Sequence, residues 1–325
     1  MLRPSLLVVA SILLGGMTLG SALAGQSAPP ASPLSRAGAG APTIQLVEHG
    51  GLAPGLSEVR ISPGRGTPSE GRDRLLAIAP DGSAAAVASQ VGPEPATLTL
   101  ARRDGTRRGV ALPGLIGAGF SPDGSWMAVI DGTGSIWRVP AGDIPPSRIA
   151  DGPYIGSPVV EADGSLLALR VSSIEAPIVS RLVRVAPDGT VLTLADDQLV
   201  YGAQLMADGS VAYAAHEGSR TLLKQLAAGK PRQLADLGED AVNVVLAPNE
   251  DAIAFERGGK VFLRGVGDHD DVLLGPGTRP QFAPDGLSLL VERASGSALL
   301  ALDGRPLAAF DDQAAFGGCG AGCQP

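Results

Sequence analysis

Six times along the chain an apolar run breaks at a short polar turn and then resumes. The segments are LLAIAPDGSAAAVAS at 75–89, GAGFSPDGSWMAVID at 117–131, SPVVEADGSLLALRV at 157–171, AQLMADGSVAYAAH at 203–216, NVVLAPNEDAIAFER at 243–257 and PQFAPDGLSLLVER at 280–293. Asp and Gly tolerate the backbone geometry of a tight turn, and the Asp carboxylate bonds the amides that follow, so each phrase predicts a β-hairpin. After the turn comes the alternation of a strand, as in Trp126, Ala128 and Ile130 or Leu166, Ala168 and Arg170. That is the pattern of a strand lying between neighbours and packed on both faces. The turn residues Asp81, Asp123, Asp163, Asp208, Asn249 (a degenerate copy) and Asp285 succeed one another at steps of 42, 40, 45, 41 and 36 residues.

A period near 40 residues accommodates four short strands and their turns. Two further strand candidates follow most copies. They include ATLTLA and RRGVAL around Asp104-Gly105, RLVRVA and TVLTLA around Pro187-Asp188-Gly189, and ALLAL and RPLAAF around Asp303-Gly304. Each unit therefore reads as a four-stranded meander. Six units predict an all-β, six-bladed β-propeller over 75–310, whose closure removes exposed sheet edges. The strand-like pieces TIQLV and LSEVRI within 43–62 offer an alternative of seven blades. Otherwise 43–74 is a pair of strands and a loop that latch the propeller.

The phrases Phe120-Ser121-Pro122-Asp123-Gly124 and Phe282-Ala283-Pro284-Asp285-Gly286 resemble the repeats of TolB-like propellers, the WD40-like PD40 family. The resemblance spans 75–310 and implies the propeller. TolB carries an α/β domain ahead of its propeller, and residues 43–74 are too few for one, so membership of the TolB–Pal envelope system is not implied. The repeated motif is structural and implies no catalytic residues.

Glycine (45) and proline (27) exceed a fifth of the 325 residues, which suits short strands and tight turns. A hydrophobic fraction of 44 % supplies a core. The net charge of −8 argues against nucleic acid as a partner, since such binding needs a basic surface. At the N-terminus Arg3, the uncharged apolar stretch Leu6–Leu19 and the small-x-small sequence ending at Ala24 read as a signal peptide, 1–24, with a retained membrane anchor as the alternative. Residues 25–42 form a flexible Pro/Ala/Gly linker. The expected location is secreted or extracytoplasmic, in the cell envelope.

In a four-stranded blade the loops between strands two and three share one face with the connections between blades, and that face is the usual binding surface of the fold. Several such loops carry an acid: Glu94, Asp131, Glu175, Glu217 and Glu256. They read either as an acidic rim for a cation, a basic peptide or a cationic saccharide, or as ordinary polar loops of an acidic chain. Loop 172–180 adds apolar Ile174 and Ile178. Arg102, Arg103, Arg107 and Arg108 flank another turn and read as a grip for phosphate or as a solvated turn.

His49, His216 and His269 show no zinc spacing, and Asp268-His269-Asp270-Asp271 reads as a solvated loop. There is no G-x-S-x-G nucleophile elbow and no GxxxxGK[ST] loop. No cofactor, metal or catalytic residue is predicted. The function read from the chain is a non-enzymatic, monomeric binding module for a protein or envelope polymer. The alternative is a propeller hydrolase or lyase with residues gathered around the central channel. The tail, 311–325, carries Cys319 and Cys323, read as a disulfide pair in an oxidising compartment, with an intermolecular link or soft-metal binding as the alternatives, and its loss is expected to leave the propeller folded.

Overall fold

The computed structural model describes residues 43–62, 74–89, 96–173, 179–197 and 199–317, and every regular element among them is a β-strand. Thr43–Glu48 (β1) and Leu56–Ser62 (β2) pair antiparallel. Six four-stranded meanders follow in chain order. Sheet I holds Arg74–Ile78, Ala84–Ser89, Thr97–Arg102 and Arg107–Ala111 (β3–β6). Sheet II holds Leu115–Phe120, Trp126–Asp131, Ile136–Pro140 and Ser147–Ala150 (β7–β10). Sheet III holds Tyr154–Val160, Leu166–Ser173, Val179–Val185 and Val191–Ala195 (β11–β14). Sheet IV holds Leu199–Leu205, Val211–Glu217, Arg220–Ala227 and Lys230–Glu239 (β15–β18). Sheet V holds Val242–Leu246, Ala252–Arg257, Lys260–Gly265 and Val272–Pro276 (β19–β22). Sheet VI holds Thr278–Phe282, Ser288–Arg293, Gly296–Ala301 and Pro306–Phe310 (β23–β26). Sheets III and IV touch through one parallel pair, Ser180 with Leu199.

Burial falls off across each sheet. The second strand is the most enclosed: all of Trp126–Asp131 is buried, as is Val211–Ala215. The fourth strand faces water, as in Ser147–Ala150 and Pro306–Phe310. Such a gradient arises when sheets stack face to face like the blades of a propeller, because the second strand then has apolar neighbours on both sides. The clusters agree: Leu98, Met127 and Trp137 fill the gap between sheets I and II, and Phe255, Leu223 and Leu237 the gap between IV and V. First strands pack on first strands of successive sheets, β3 on β7, β7 on β11, β11 on β15, β15 on β19 and β19 on β23. The chain is thus an all-β propeller.

The last strand corrects the reading of the tail. Gln313–Phe316 (β27) pairs with β2, packs on β24 and β25 on one side and on β3 on the other, and buries Ala314, Ala315 and Phe316. Residues from both ends of the described chain therefore meet in one three-stranded sheet lying between sheets VI and I. Part of the segment read as dispensable is structural. Cys319 and Cys323 lie outside the described residues, as does the N-terminal segment 1–42.

The repeated turns hold themselves. Asp81, Asp163, Asp208 and Asp285 each accept from the amide two residues on. Asp123 accepts from Ser121 Oγ and from both the amide and hydroxyl of Ser125, which pulls its carboxyl down to about 2. The following glycine occupies the left-handed region, at φ 67° for Gly124 and 69° for Gly286. In the degenerate fifth copy that position is Glu250, at φ 61°. A side chain there is strained by about 1 kcal/mol, while glycine loses more entropy on folding. Glu250→Gly is therefore expected to stabilise the protein by roughly 0.5 kcal/mol, read as a raised urea midpoint at unchanged slope. A lowered midpoint would show that the Glu side chain contributes more than its backbone costs.

Candidate functional site at the face of the two–three loops

Strand direction separates the two ends of the molecule. The Asp-Gly turns between strands one and two lie at one end. The loops between strands two and three, with the connections between sheets, lie at the other. The residues singled out from the sequence differ in what they do at this second face. Glu94, Ile174, Glu175 and Ile178 lie outside the described residues. Glu217, about half exposed, ends β16 and accepts from Lys224 Nζ at 2.6 Å. Glu256 accepts from Asn243 Nδ2 at 2.8 Å.

Asp131 is not part of an exposed rim. It is 1 % exposed, and its carboxylate takes the amides of Thr133 and Ser135, the Thr133 hydroxyl at 2.6 Å and Trp137 Nε1 at 2.7 Å. Its oxygens serve the 131–135 loop. Lys224 is likewise inward. Its ammonium lies 2.5 Å from Asp197, whose other oxygen accepts from Tyr213, so sheet IV is tied to the connection that enters it. Burial disfavours the charge on Lys224, but the two carboxylates outweigh it and raise the amine above its ordinary value.

The arginines around Asp104 are also committed. Arg108 is buried and donates to the carbonyls of Pro140, Gly142 and Ile144 in sheet II, at 2.9 Å and 2.6 Å for the first and last. Arg102 donates to the Ala141 carbonyl and Arg103 pairs with Glu48 at 2.9 Å. They clasp sheet I to its neighbours instead of presenting a phosphate grip.

Between sheets IV and V a groove of about 660 Å³ runs along the outer strands, from Arg220, Glu239 and Arg257 near this face to His269 and Asp271 in the β21–β22 turn at the Asp-Gly end, with Asp236, Leu237, Gly238 and Arg264 completing its lining. Three guanidinium groups converge on it. Arg257 lies over the rings of Phe255 and Phe262, at 5.1 and 5.2 Å, and Arg264 over Phe255 at 5.8 Å. Stacking on aromatic faces holds the planar forks in place. Asp271 accepts from both of them, Arg264 Nε at 2.7 Å and Arg257 at 3.0 Å. Within the 268–271 run, read from the sequence as a solvated loop, Asp271 is thus turned onto two arginines. Among the described residues no group of three or more His, Cys, Asp or Glu is placed to hold a metal ion. Arg220, the most exposed of the three, bonds Asp236 through Nε at 2.7 Å.

Sequence reasoning passed over these arginines although two of them end loops it had picked out. Arg220 closes the loop 216–220 that carries Glu217, and Arg257 directly follows Glu256 in the loop 256–260. Arg264 carried no signal, because its place in the groove depends on how one sheet stacks on the next.

No family model matches the chain, and no curated protein matches it. Solved structures do. The chain is similar to TolB from Acinetobacter baumannii, with a TM-score of 0.54 and 16 % identity over 77 % of this chain and 71 % of that one. It is similar to a putative TolB from Agrobacterium tumefaciens, with a TM-score of 0.51 and 16 % identity over 68 % and 88 %. An oligogalacturonate lyase in complex with manganese aligns at 11 % identity over 79 % and 95 %, with a TM-score of 0.49, too low to carry an argument. The likeness is one of fold, that of a TolB-like β-propeller. Among the described residues no helix is long and apolar enough to cross a membrane.

Proposed function

We propose that the chain is an extracytoplasmic binding module that engages a protein or envelope polymer through the face of the two–three loops, without catalysis. In this reading the protein acts as a monomer, exported by its N-terminal segment. The three-stranded sheet of β1, β2 and β27 serves as a seventh blade that joins the chain's two ends. The observation that supports the reading is the groove between sheets IV and V. It is open, it reaches the two–three face at Arg220, Glu239 and Arg257, and its polar side chains are already held in place by hydrogen bonds and aromatic stacking, which lowers the entropy lost on binding.

Capture from the native envelope tests it, using the full exported chain as bait beside two charge reversals. Arg220→Glu sits in the groove, and Arg305→Glu sits in a turn at the opposite end. Arg220→Glu is expected to reduce capture of a specific partner at least about tenfold, the size of loss a central interface residue produces. Arg305→Glu should leave capture unchanged. Equal loss in both variants, or no partner retained by the unaltered chain, would sink the proposal.

A further inference from the structure

The groove's donors and acceptors do not balance. Asp236 is filled by Arg220 at Oδ2 and by the Gly238 amide at Oδ1, 3.0 Å away. Asp271 is filled at Oδ1 by Arg264 and at Oδ2 by Arg257. Glu239 accepts from the Ser219 hydroxyl at 2.9 Å. The acids are thereby largely occupied. A guanidinium, by contrast, carries a fork of N–H donors and no acceptor. Arg264 adds the Asp236 carbonyl to its partners, at 2.6 Å, and Arg257 adds the Leu237 carbonyl. Arg257 still keeps a buried Nε–H that finds no partner within the protein. Arg220, a groove residue whose side chain is 58 % exposed, spends its Nε–H and one amino group on a single carboxylate and keeps further N–H donors.

Formal charge alone gives no such preference, because three arginines face three acids. The directions of the hydrogen bonds decide it. An entering group that supplies oxygen acceptors finds N–H to spare on the exposed Arg220, whereas an entering donor must displace an arginine from a carboxylate. A cation or basic peptide, which the acids of this face suggest from the sequence, is therefore the poorer fit. Two of the three forks are fixed by stacking on Phe255 and Phe262, so little ordering remains to be done when a ligand arrives. The chain's net charge of −8 repels anions at long range, but salt screens that field beyond about 10 Å and leaves the local donors effective.

We infer that the groove between sheets IV and V is an oxyanion site in which Arg220, together with Arg257 and Arg264, receives a carboxylate or phosphoryl group of the ligand. The inference rests on the reading of this face as the binding surface. Asp236 is the internal competitor: it already holds two of the Arg220 nitrogens, and its charge opposes an incoming oxyanion.

The test titrates the full chain with inorganic phosphate and, separately, with citrate, at ionic strength held constant with chloride. Binding is followed by calorimetry and by melting temperature. At least one anion is expected to bind saturably and raise the melting temperature. Binding of phosphate alone assigns the site to phosphoryl groups, and of citrate alone to carboxylates. Arg220→Gln should weaken the affinity at least about tenfold. Asp236→Asn should strengthen it severalfold, because the competing charge is gone while the side chain keeps its shape. A purely structural ion pair gives the opposite for Asp236→Asn, a lower melting temperature with no gain in affinity. Arg220→Lys, which keeps the charge but not the fork, covers the case in which the Gln variant fails to fold, and it too should bind more weakly. The inference is overturned if neither anion binds beyond the chloride control, or if the Arg220 variants bind as well as the unaltered chain. Envelope capture that depends on Arg220 without anion binding would remove only the oxyanion assignment. Anion binding without envelope capture would remove only the larger partner.

Discussion

Replacing Gly119 by alanine is expected to cost about 3 kcal/mol or more of unfolding free energy, above the usual range for an overpacked core. A Cβ built on Gly119 lies 2.1 Å from the Pro158 carbonyl oxygen, and one on Gly117 lies 2.2 Å from that of Gly156. Both glycines are on β7, two residues apart and so on the same face of the strand, and both look at β11 of the next sheet. The atoms they would strike are backbone, so no rotamer change relieves the clash. The bulge of β11, where the register with β12 shifts between Ile155 and Val159, is the stretch that meets these glycines. Gly156 takes part in it at φ 74°. A methyl group at 119 must therefore push sheets II and III apart and loosen Ile130, Tyr154 and Leu166, which pack between them. Gly109→Ala is the comparison. It lies in strand β6, where the new Cβ meets only Thr97 Cγ2 at 3.6 Å, an ordinary contact. There the substitution should stabilise by roughly 0.5 kcal/mol, since glycine is costly within a strand. Urea unfolding of both variants checks the pair. Equal, small effects would mean that sheets II and III do not approach as closely as described.

The hairpin phrase was readable because its signals are local. Asp81 and Asp123 bond amides two residues away, and alternation within Trp126–Asp131 needs no knowledge of other sheets. The same locality explains what was missed. Nothing near Gln313–Phe316 distinguishes a strand from a tail, because its partner, β2, lies more than 250 residues earlier in the chain. The groove was not legible, and none of the rim residues singled out from the sequence lines it. The two–three loops could be located, and the acids at their ends could be named. Which side chains meet across two sheets could not. Arg257 and Arg264 meet at Asp271 because a strand end, a strand body and a turn fold onto one another, and sequence spacing does not encode that. Arg108 teaches the same lesson in reverse. Read along the chain it belongs to a basic cluster, and in the fold its charge is turned inward to a neighbouring sheet's carbonyls.

Asp131 separates an acid that supports a loop from an acid that meets a ligand, and its replacement by alanine should lower stability by about 3 kcal/mol. The carboxylate is the hub of the turn into β9. It holds two amides, one hydroxyl and the indole N–H of Trp137, a side chain only 3 % exposed. Hydrogen bonds to a charged acceptor each contribute about 1.5 kcal/mol or more, and a buried indole N–H left without a partner costs about 1 kcal/mol or more on top. Alanine removes every acceptor at once. Asparagine is the sharper probe. It keeps the shape and one oxygen for the Thr133 and Ser135 amides, but its amide nitrogen then faces the Trp137 N–H, donor against donor. A loss of about 2 kcal/mol is expected for Asp131→Asn. The variant should also change the fluorescence of Trp137, one of only two tryptophans in the chain. An acid standing free on a binding rim behaves differently: its substitution alters partner capture and leaves stability within about 0.5 kcal/mol. Stability unchanged in both variants would return Asp131 to the rim. Lower stability with Trp137 perturbed would establish Asp131 as the acid that holds the 131–135 turn onto β9.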